Sequence, residues 1–187
     1  MTDKFDLDQD EIKPVRHRGL FDWMQSIVMM LLAVTLLVTF AGTSIAVQGP
    51  SMAPTLQEGD QMIVRTIFYT PRRGDVIVFA QQNFQDGAGI VKRVIALAGD
   101  VVDLNIETGV VYVNGVALDE PYTSGPTNRA GDIGFPFTVP VGHVFVIGDN
   151  RNNSMDSRNR EIGPVDEREI IGQAVAVITP FDRMGFV

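Results

Sequence analysis

The feature that most constrains the fold of this chain is an uncharged apolar run near its N-terminus. The run reads SIVMMLLAVTLLVTFAGTSIAV, from Ser26 to Val47, and covers 22 residues. As an α-helix at about 1.5 Å per residue it would be roughly 33 Å long, which matches the hydrocarbon core of a bilayer. The run therefore predicts one transmembrane helix, residues 26–47, between a tail, residues 1–25, and a larger domain, residues 48–187.

The residues around this run predict its orientation in the membrane and whether it is cleaved from the chain. Arg16 and Arg18 precede it, whereas no basic residue follows it until Arg65. Positive charge marks the cytoplasmic side, so we expect a single-pass protein of the cell membrane with residues 48–187 outside the cytoplasm. A cleavable signal peptide is an alternative interpretation, because Ser44 to Ala46 has the small-x-small form of a cleavage site. The run exceeds the apolar length of about 7 to 15 residues that is usual in signal peptides, which favours an uncleaved anchor.

The composition excludes several classes of function. The chain has no cysteine, which excludes disulfides, thiol catalysis and cysteine metal sites. Its formal net charge is −8 and no basic run is interleaved with aromatic residues, so we expect no nucleic-acid partner. The stretch DNRNNSMD superficially resembles a calcium loop, but Arg151 stands at a ligand position and Ser154 replaces the turn glycine. We therefore expect neither a metal nor a cofactor.

The pattern of residues 48–187 predicts a mainly β domain. Short alternating or apolar runs such as QMIVRTIF, GDVIVFA, IVKRVIALAGD and HVFVIGD are bounded by Gly, Pro, Asn or Asp, which is typical of strands. Asn114 and Gly115 lie between β-branched residues and predict a tight hairpin. The stretch from Thr123 to Pro136 is rich in Gly and Pro, which indicates a long surface loop. We expect an antiparallel β-sheet domain that follows one N-terminal transmembrane helix.

Few residues of this domain are candidates for covalent chemistry. From Gln48 onward it contains four serines, one lysine and one histidine, namely Ser51, Ser124, Ser154, Ser157, Lys92 and His143. Lys92 lies among apolar residues of a predicted strand, where burial would lower its pKa and leave a neutral general base. A solvent-facing Lys92 is the alternative, and His143 offers a Ser-His-Asp arrangement instead. Gly49 and Pro50 would end the apolar helix and expose the Ser51 hydroxyl, although a turn serine without chemistry fits the same position.

Four stretches of the chain resemble sequence boxes of the type I signal peptidases. These boxes are SMAPTL (Ser51 to Leu56), RRGDVIVF (Arg72 to Phe79), KRVIALAGD (Lys92 to Asp100) and GDNRNNSMDSR (Gly148 to Arg158). They occur in the family's order and span nearly the whole domain. The resemblance implies the signal-peptidase fold in its compact single-anchor form. It also implies a membrane-bound Ser-Lys endopeptidase that removes signal peptides from exported preproteins, cutting after small-x-small sites such as Ala-x-Ala.

The resemblance also implies roles for individual residues. Ser51 would be the nucleophile, Lys92 the general base, and Ser154 the residue that positions the lysine through a hydrogen bond. Ion pairs of Arg93 with Asp149 and of Asp156 with Arg158 would support the site. The substrate would bind as an extended strand between residues 44–49 and residues 89–91. Small pockets would be lined by Val47, Met52, Ile90 and Val91.

The oxyanion hole is the point at which the sequence departs from many members of that family. They have a serine two residues before the nucleophile, whereas this chain has Gly49, as another branch does. Pro50 has no N–H, so the donors would be the Ser51 amide together with the Gly49 amide or a water molecule.

The implied partners are the signal peptides of translocated preproteins, membrane lipid and the secretion translocon. One alternative is a non-catalytic, membrane-anchored scaffold for the assembly of surface proteins, but the retained serine and lysine speak against it. Another is a soluble Ser-Lys autoprotease of the repressor type, which shares the fold. That alternative gives no reason for the apolar run.

Overall fold

The structure, a computed structural model, describes residues 18–40, 43–82, 84 and 87–187. The chain divides into two compact units, residues 1–40 and residues 41–187. In the first unit, α1 (Arg18–Phe40) is a helix of 23 residues. The predicted tail up to residue 17 lies outside the described residues.

The helix differs from the predicted one at both ends. It begins at Arg18, because the apolar residues of GLFDWM continue the helical segment toward the N-terminus. It ends at Phe40, and residues 43–46 form a strand, so the predicted boundary at Val47 is wrong. β-branched Thr43 and Ile45 favour extended backbone, and their strand gains a pairing partner in the sheet that an isolated helix lacks. Among the described residues, no helix combines the length and the hydropathy needed to cross a membrane.

The second unit is built from short strands. Its described residues contain β1 (Thr43–Ala46), β2 (Gln61–Arg65), β3 (Val76–Phe79), β4 (Ile90–Ala96), β5 (Val101–Asn105), β6 (Val110–Val113), β7 (Val116–Ala117), β8 (Phe137–Thr138), β9 (His143–Ile147), β10 (Val165–Asp166), β11 (Ile170–Thr179) and β12 (Gly185–Phe186). Single 3-10 turns lie at Glu167–Glu169 and Phe181–Arg183. The prediction of a mainly β domain is confirmed.

The strands form two antiparallel sheets. In the described part of the chain, the larger sheet has the order β1-β2-β11-β3-β4-β9-β10, with β12 paired to β11. The smaller sheet has the order β7-β6-β5-β8. The predicted hairpin joins β6 to β7, where Asn114 and Gly115 have φ angles of 54° and 76° as a tight two-residue turn requires.

Strand β4 is buried along its whole length and has an incompletely paired edge. On one side it pairs with β3 from Ile90 to Arg93. On the other side, in the described chain, pairing with β9 begins at Arg93, which lies opposite Ile147. Among the described residues, no strand pairs with residues 90–92 on that side of the sheet.

Candidate active site

Ser51 lies five residues after the end of β1 and is held in a tight turn. Within this turn the Ala53 amide donates to the Pro50 carbonyl at 3.1 Å. The Asn150 amide donates to the Ser51 carbonyl at 3.0 Å, which ties the turn to the loop after β9. Met52, which follows the serine, is buried in the core. The serine thus lies on a fixed backbone that is supported from two directions.

Lys92 brings its amine to this serine from the middle of β4. Its Nζ atom donates to Ser51 Oγ at 2.8 Å and to the Val91 carbonyl at 2.9 Å. The side chain is 4% exposed, so the solvent-facing alternative is excluded by this geometry. Burial lowers the pKa of the Lys92 amine from 10.5 to about 8, and the nearby carboxylates of Asp156 and Asp149 counter part of that lowering.

Ser154 lies beside the pair but is not hydrogen-bonded to it. A side-chain carbon at Gly148 would overlap both Ser154 Oγ and the Ser51 carbonyl oxygen, so the three residues are in close contact. Ser154 Oγ is buried and has no hydrogen-bond partner among the described residues. The expected hydrogen bond from Ser154 to Lys92 stays a prediction. An unpaired buried hydroxyl is costly to the folded state.

The structure brings together both of the expected ion pairs. Arg93 donates to the two carboxylate oxygens of Asp149 at 2.8 and 2.7 Å. Arg158 donates to the two oxygens of Asp156 at 2.8 Å each. All four side chains are nearly or fully buried, and two-pronged pairs of this kind fix the backbone that carries them. Asp156 also accepts from the Gly148 amide at 3.0 Å, which links the pair to the turn beside Ser51.

A cavity of about 200 Å³ lies next to the Ser51 and Lys92 side chains. All four residues predicted to bind substrate line it, namely Val47, Met52, Ile90 and Val91. Gln48, which also lines it, belongs to the predicted substrate-binding segment 44–49, whereas the sequence did not indicate two further lining residues, Phe84 and Met155. Phe84 lies in the loop between β3 and β4, outside all four boxes. Met155 lies inside the fourth box, where the sequence indicated no role for it in the cavity, so only the folded chain shows that it lines this cavity.

Gly49 lines the same cavity in a backbone conformation that glycine favours. Its φ is 76°, and a side-chain carbon there would meet no atom within 4 Å. The backbone conformation, and not a lack of space, therefore explains a glycine at this position.

His143 is placed away from this constellation in the sheet. It begins β9 and pairs with Asp166 of β10, while Ile147 at the other end of β9 lies level with Arg93. Its Nδ1 is 3.0 Å from the Val141 carbonyl oxygen. The hydrogen-bond partner of Ser51 Oγ is therefore Lys92.

Sequence reasoning also missed a cluster that packs behind the site. The guanidinium of Arg93 lies 4.1 Å from the centre of the Tyr122 ring, and that of Arg151 lies 5.9 Å from it. Arg151 is buried and donates to Glu120 Oε2 at 2.8 Å. The segment from Glu120 to Tyr122 thus braces two arginines that flank the catalytic loops, which no local pattern in the sequence indicated.

A serine hydroxyl that is hydrogen-bonded to a buried lysine of lowered pKa has the arrangement that an activated nucleophile requires. The sequence profile of the family described as "Signal peptidase, peptidase S26" matches residues 20–179. The chain belongs to this family of serine peptidases.

Two curated relatives agree with this membership. Signal peptidase I of Bacillus licheniformis is 34% identical over 180 residues, which cover 90% of this chain and 94% of the relative. Signal peptidase I S of Bacillus subtilis has the same identity and coverage. A crystal structure of a signal peptidase I from Enterococcus faecalis matches at a TM-score of 0.48 with 30% identity, covering 57% of this chain and 98% of that one.

Proposed function

We propose that this chain removes signal peptides from exported preproteins by cutting after small-x-small sites, with Ser51 as nucleophile and Lys92 as general base. The observation that carries the proposal is the 2.8 Å separation of Lys92 Nζ and Ser51 Oγ in a buried setting. The lowered pKa of Lys92 supports it, because a substantial fraction of the amine is then neutral near pH 8. The names of the curated relatives support the choice of substrate.

The chemistry requires Lys92 to take and return one proton in each half of the reaction. The neutral amine accepts the Ser51 hydroxyl proton while Oγ attacks the carbonyl carbon of the scissile bond. When the C–N bond breaks, the resulting ammonium returns the proton to the leaving amine and an ester on Ser51 remains. A water molecule then loses a proton to Lys92 and attacks the ester, which releases the signal peptide and returns the proton to Ser51 Oγ.

The negative oxygen formed in each attack needs fixed hydrogen-bond donors. We assign the Ser51 amide as one donor and the Gly49 amide or a water molecule as the second, because Pro50 has no N–H. Loss of one such donor typically costs about 3 kcal/mol in the barrier.

The free edge of β4 supports a mode of substrate binding. The residues before the cleaved bond would add as a strand beside residues 90–92, with main-chain hydrogen bonds supplying most of the attraction. The scissile bond must lie at Ser51, beside Lys92, and the recognised substrate residues come before that bond in the substrate chain. The substrate strand would therefore run parallel to β4, from beside Ile90 toward Lys92. The 200 Å³ cavity between them has room for small side chains, which suits a small-x-small site.

We also propose that the chain is anchored in the cell membrane, with residues 48–187 on its outer face. The part of the uncharged apolar run that is helical, from Ser26 to Phe40, supports this. Large apolar side chains of α1 are exposed all around the helix, namely Leu20, Phe21, Trp23, Met24, Val28, Met29, Met30, Leu31, Leu32 and Val34. Membrane lipid and the secretion translocon are the partners that such a location would supply.

The test is cleavage of a preprotein with an Ala-x-Ala site by the purified full chain in detergent, with the product ends identified by mass spectrometry. We expect the unmodified chain to cut after the second alanine and Ser51→Ala and Lys92→Met to be inactive. Ser124→Ala is the matched control, because Ser124 is exposed and lies outside the site, and His143→Asn tests the alternative base.

Each outcome of this cleavage test has one interpretation. Cleavage by Lys92→Met at full rate contradicts the role of the lysine. Loss of cleavage in His143→Asn with retention in Lys92→Met would assign the base to the histidine. If the unmodified chain is folded and no preprotein is cut, the non-catalytic scaffold replaces the peptidase.

A further inference from the structure

A second cavity adjoins the site and has no role in the binding of residues before the cleaved bond. It has a volume of about 650 Å³, and its lining includes Arg129, Asp132, Asn153, Ser154 and Asn159. Met155 lines this cavity and also the 200 Å³ cavity beside Ser51. The two cavities are therefore neighbours that meet at Met155.

The course of the chain places the second cavity beyond the cleaved bond. A substrate strand that runs along residues 90–92 of β4 reaches Ser51 where β9 has ended and the chain turns away at Gly148. Gly148 is in close contact with Ser154 Oγ and with the Ser51 backbone. The substrate residues that follow the cleaved bond thus leave across Ser154 and Met155, which form the near wall of this cavity.

The walls of the cavity are fixed before any substrate binds. The buried Arg158 donates to the carbonyl oxygens of Arg129 and Arg151 at 2.7 Å each. The Asp132 amide donates to the Arg158 carbonyl at 3.0 Å. Gly131 packs so closely on Arg158 that a side chain there would overlap it. A preformed cavity binds an extended segment without the entropy cost of ordering its own walls.

The lining of the second cavity contains charged side chains, namely Arg129, Asp132 and Arg158. Arg129 is exposed and its Nη1 donates to the Asn152 carbonyl at 3.0 Å, which holds the guanidinium at the rim. The opposing charge in the lining is Asp132, one of whose oxygens accepts from the Arg160 amide at 2.6 Å. The other cation, Arg158, is already paired with Asp156. Arg129 is thus the cation of the lining that a substrate side chain can reach.

We propose that this cavity binds the first residues of the mature chain after the cleaved bond, and that Arg129 favours an acidic side chain among them. The ligand class is a polar, extended peptide segment. This inference rests on the proposed function, because it assigns the other half of the same substrate.

The first test compares two peptide substrates that are identical up to the cleaved bond. Residues two to four after the bond are Glu in one peptide and Lys in the other, and kcat/KM is measured with the full chain at low ionic strength. An exposed ion pair predicts that the Glu peptide is favoured by about two- to fivefold. The Arg129→Glu variant should reverse this preference, and the matched charge reversal Arg65→Glu, at an exposed arginine in β2, should keep it.

The second test fills the cavity without changing its charge. Ala130 lines the cavity, so Ala130→Trp should lower kcat/KM for a peptide that extends four residues past the cleaved bond. It should leave unchanged the cleavage of a chromogenic peptide amide that ends at that bond. A variant that merely unfolds would lose both activities, and circular dichroism of each variant checks its fold.

The outcomes separate this inference from the function on which it rests. Cleavage of both peptides with equal efficiency, or the same Glu preference in Arg129→Glu, overturns the role of Arg129. Equal loss on the long and the short substrate in a folded Ala130→Trp variant overturns the cavity as a binding site. If the unmodified chain cleaves neither peptide, the proposed function fails and this inference fails with it.

Discussion

Lys92 owes its proposed chemistry to its place in β4. Every residue of that strand is buried, so the charged amine is poorly solvated and its pKa is lowered. Asp149 and Asp156 counter this lowering, but each is already held by an arginine. Because an arginine neutralises each of them, Asp149 and Asp156 stabilise the charged form of Lys92 less than unpaired carboxylates would.

The first prediction at this scale concerns the pH dependence of cleavage. The reactive form of Lys92 is the neutral amine, so kcat/KM should rise as pH increases through about 8 instead of through the ordinary lysine value of 10.5. A pH profile with a peptide that has no titratable side chain measures this. An inflection near 10.5 would show an unperturbed lysine, and one near 6.5 would indicate a histidine base.

The second prediction concerns the cost of burying this amine. Below pH 8 the Lys92 amine is protonated in both the folded and the unfolded protein, and the folded state bears the full cost of burying the charge. This cost disappears as pH rises from about 8, the pKa in the folded state, to 10.5, the ordinary pKa of lysine. Lys92→Met should therefore increase the free energy of unfolding at pH 7 by up to about 3 kcal/mol. Denaturant unfolding at pH 7 and pH 10.5 measures the gain, which should shrink at the higher pH. Ser51→Ala, which removes no charge, is the control, and an equal gain at both pH values would contradict the explanation.

The third prediction concerns the backbone of Gly49. At a φ of 76° a residue with a side chain is strained, although space is open around it. Gly49→Ala should reduce the free energy of unfolding by about 1 to 2 kcal/mol and lower kcat through a shift of the neighbouring Ser51 turn. Gly125→Ala is the matched control, since that glycine also has open space but no positive φ. Equal effects of the two substitutions would refute the role of backbone strain.

At the scale of elements, the segment from Glu120 to Tyr122 braces the catalytic loops. The Tyr122 ring is near the guanidinium groups of both Arg93 and Arg151, and Arg151 is paired with Glu120. Arg93 follows Lys92 on β4, and Arg151 lies in the loop that carries Ser154. One short segment after β7 therefore supports both strand β4 and the loop after β9.

The fourth prediction follows from this brace. Glu120→Gln would leave the buried charge of Arg151 without its anionic partner, and such a loss typically costs about 3 to 5 kcal/mol. We expect a clear fall in thermal stability together with reduced kcat, as the loop loosens. Glu107→Gln, at an exposed turn residue, should change neither. Unchanged stability in Glu120→Gln would mean that Arg151 finds another partner and that the brace contributes little.

The same scale shows which elements the sequence was able to predict. The runs that became β3, β4 and β9, and the Asn114-Gly115 hairpin, carry local signals of strand and turn. Strand β1 contains β-branched Thr43 and Ile45, but its residues continue an apolar run that predicted a helix, and the pairing with the distant β2 is visible only in the folded chain. The site divides similarly: family motifs indicated Ser51 and Lys92, whereas Phe84 and Met155 reach the cavity only through loop packing.

At the scale of the whole molecule, the proposed anchor and the proposed substrate share one bilayer. A signal peptide carries its own apolar segment, so both reactants would be confined to the same thin layer. Confinement raises the effective concentration of the cleavage site, so modest peptide contacts along β4 suffice for efficient cleavage.

The fifth prediction tests this confinement. The full chain reconstituted in lipid vesicles should cleave a membrane-inserted preprotein at least about tenfold more efficiently than it cleaves a soluble peptide with the same Ala-x-Ala site. In dilute detergent, where enzyme and substrate occupy separate micelles, this advantage should largely vanish, because the local concentration of the site falls. The soluble peptide is the internal control, since its cleavage should change little between vesicles and detergent. An equal advantage of the preprotein in both media would mean that direct contacts with the longer substrate, and not the shared bilayer, drive recognition.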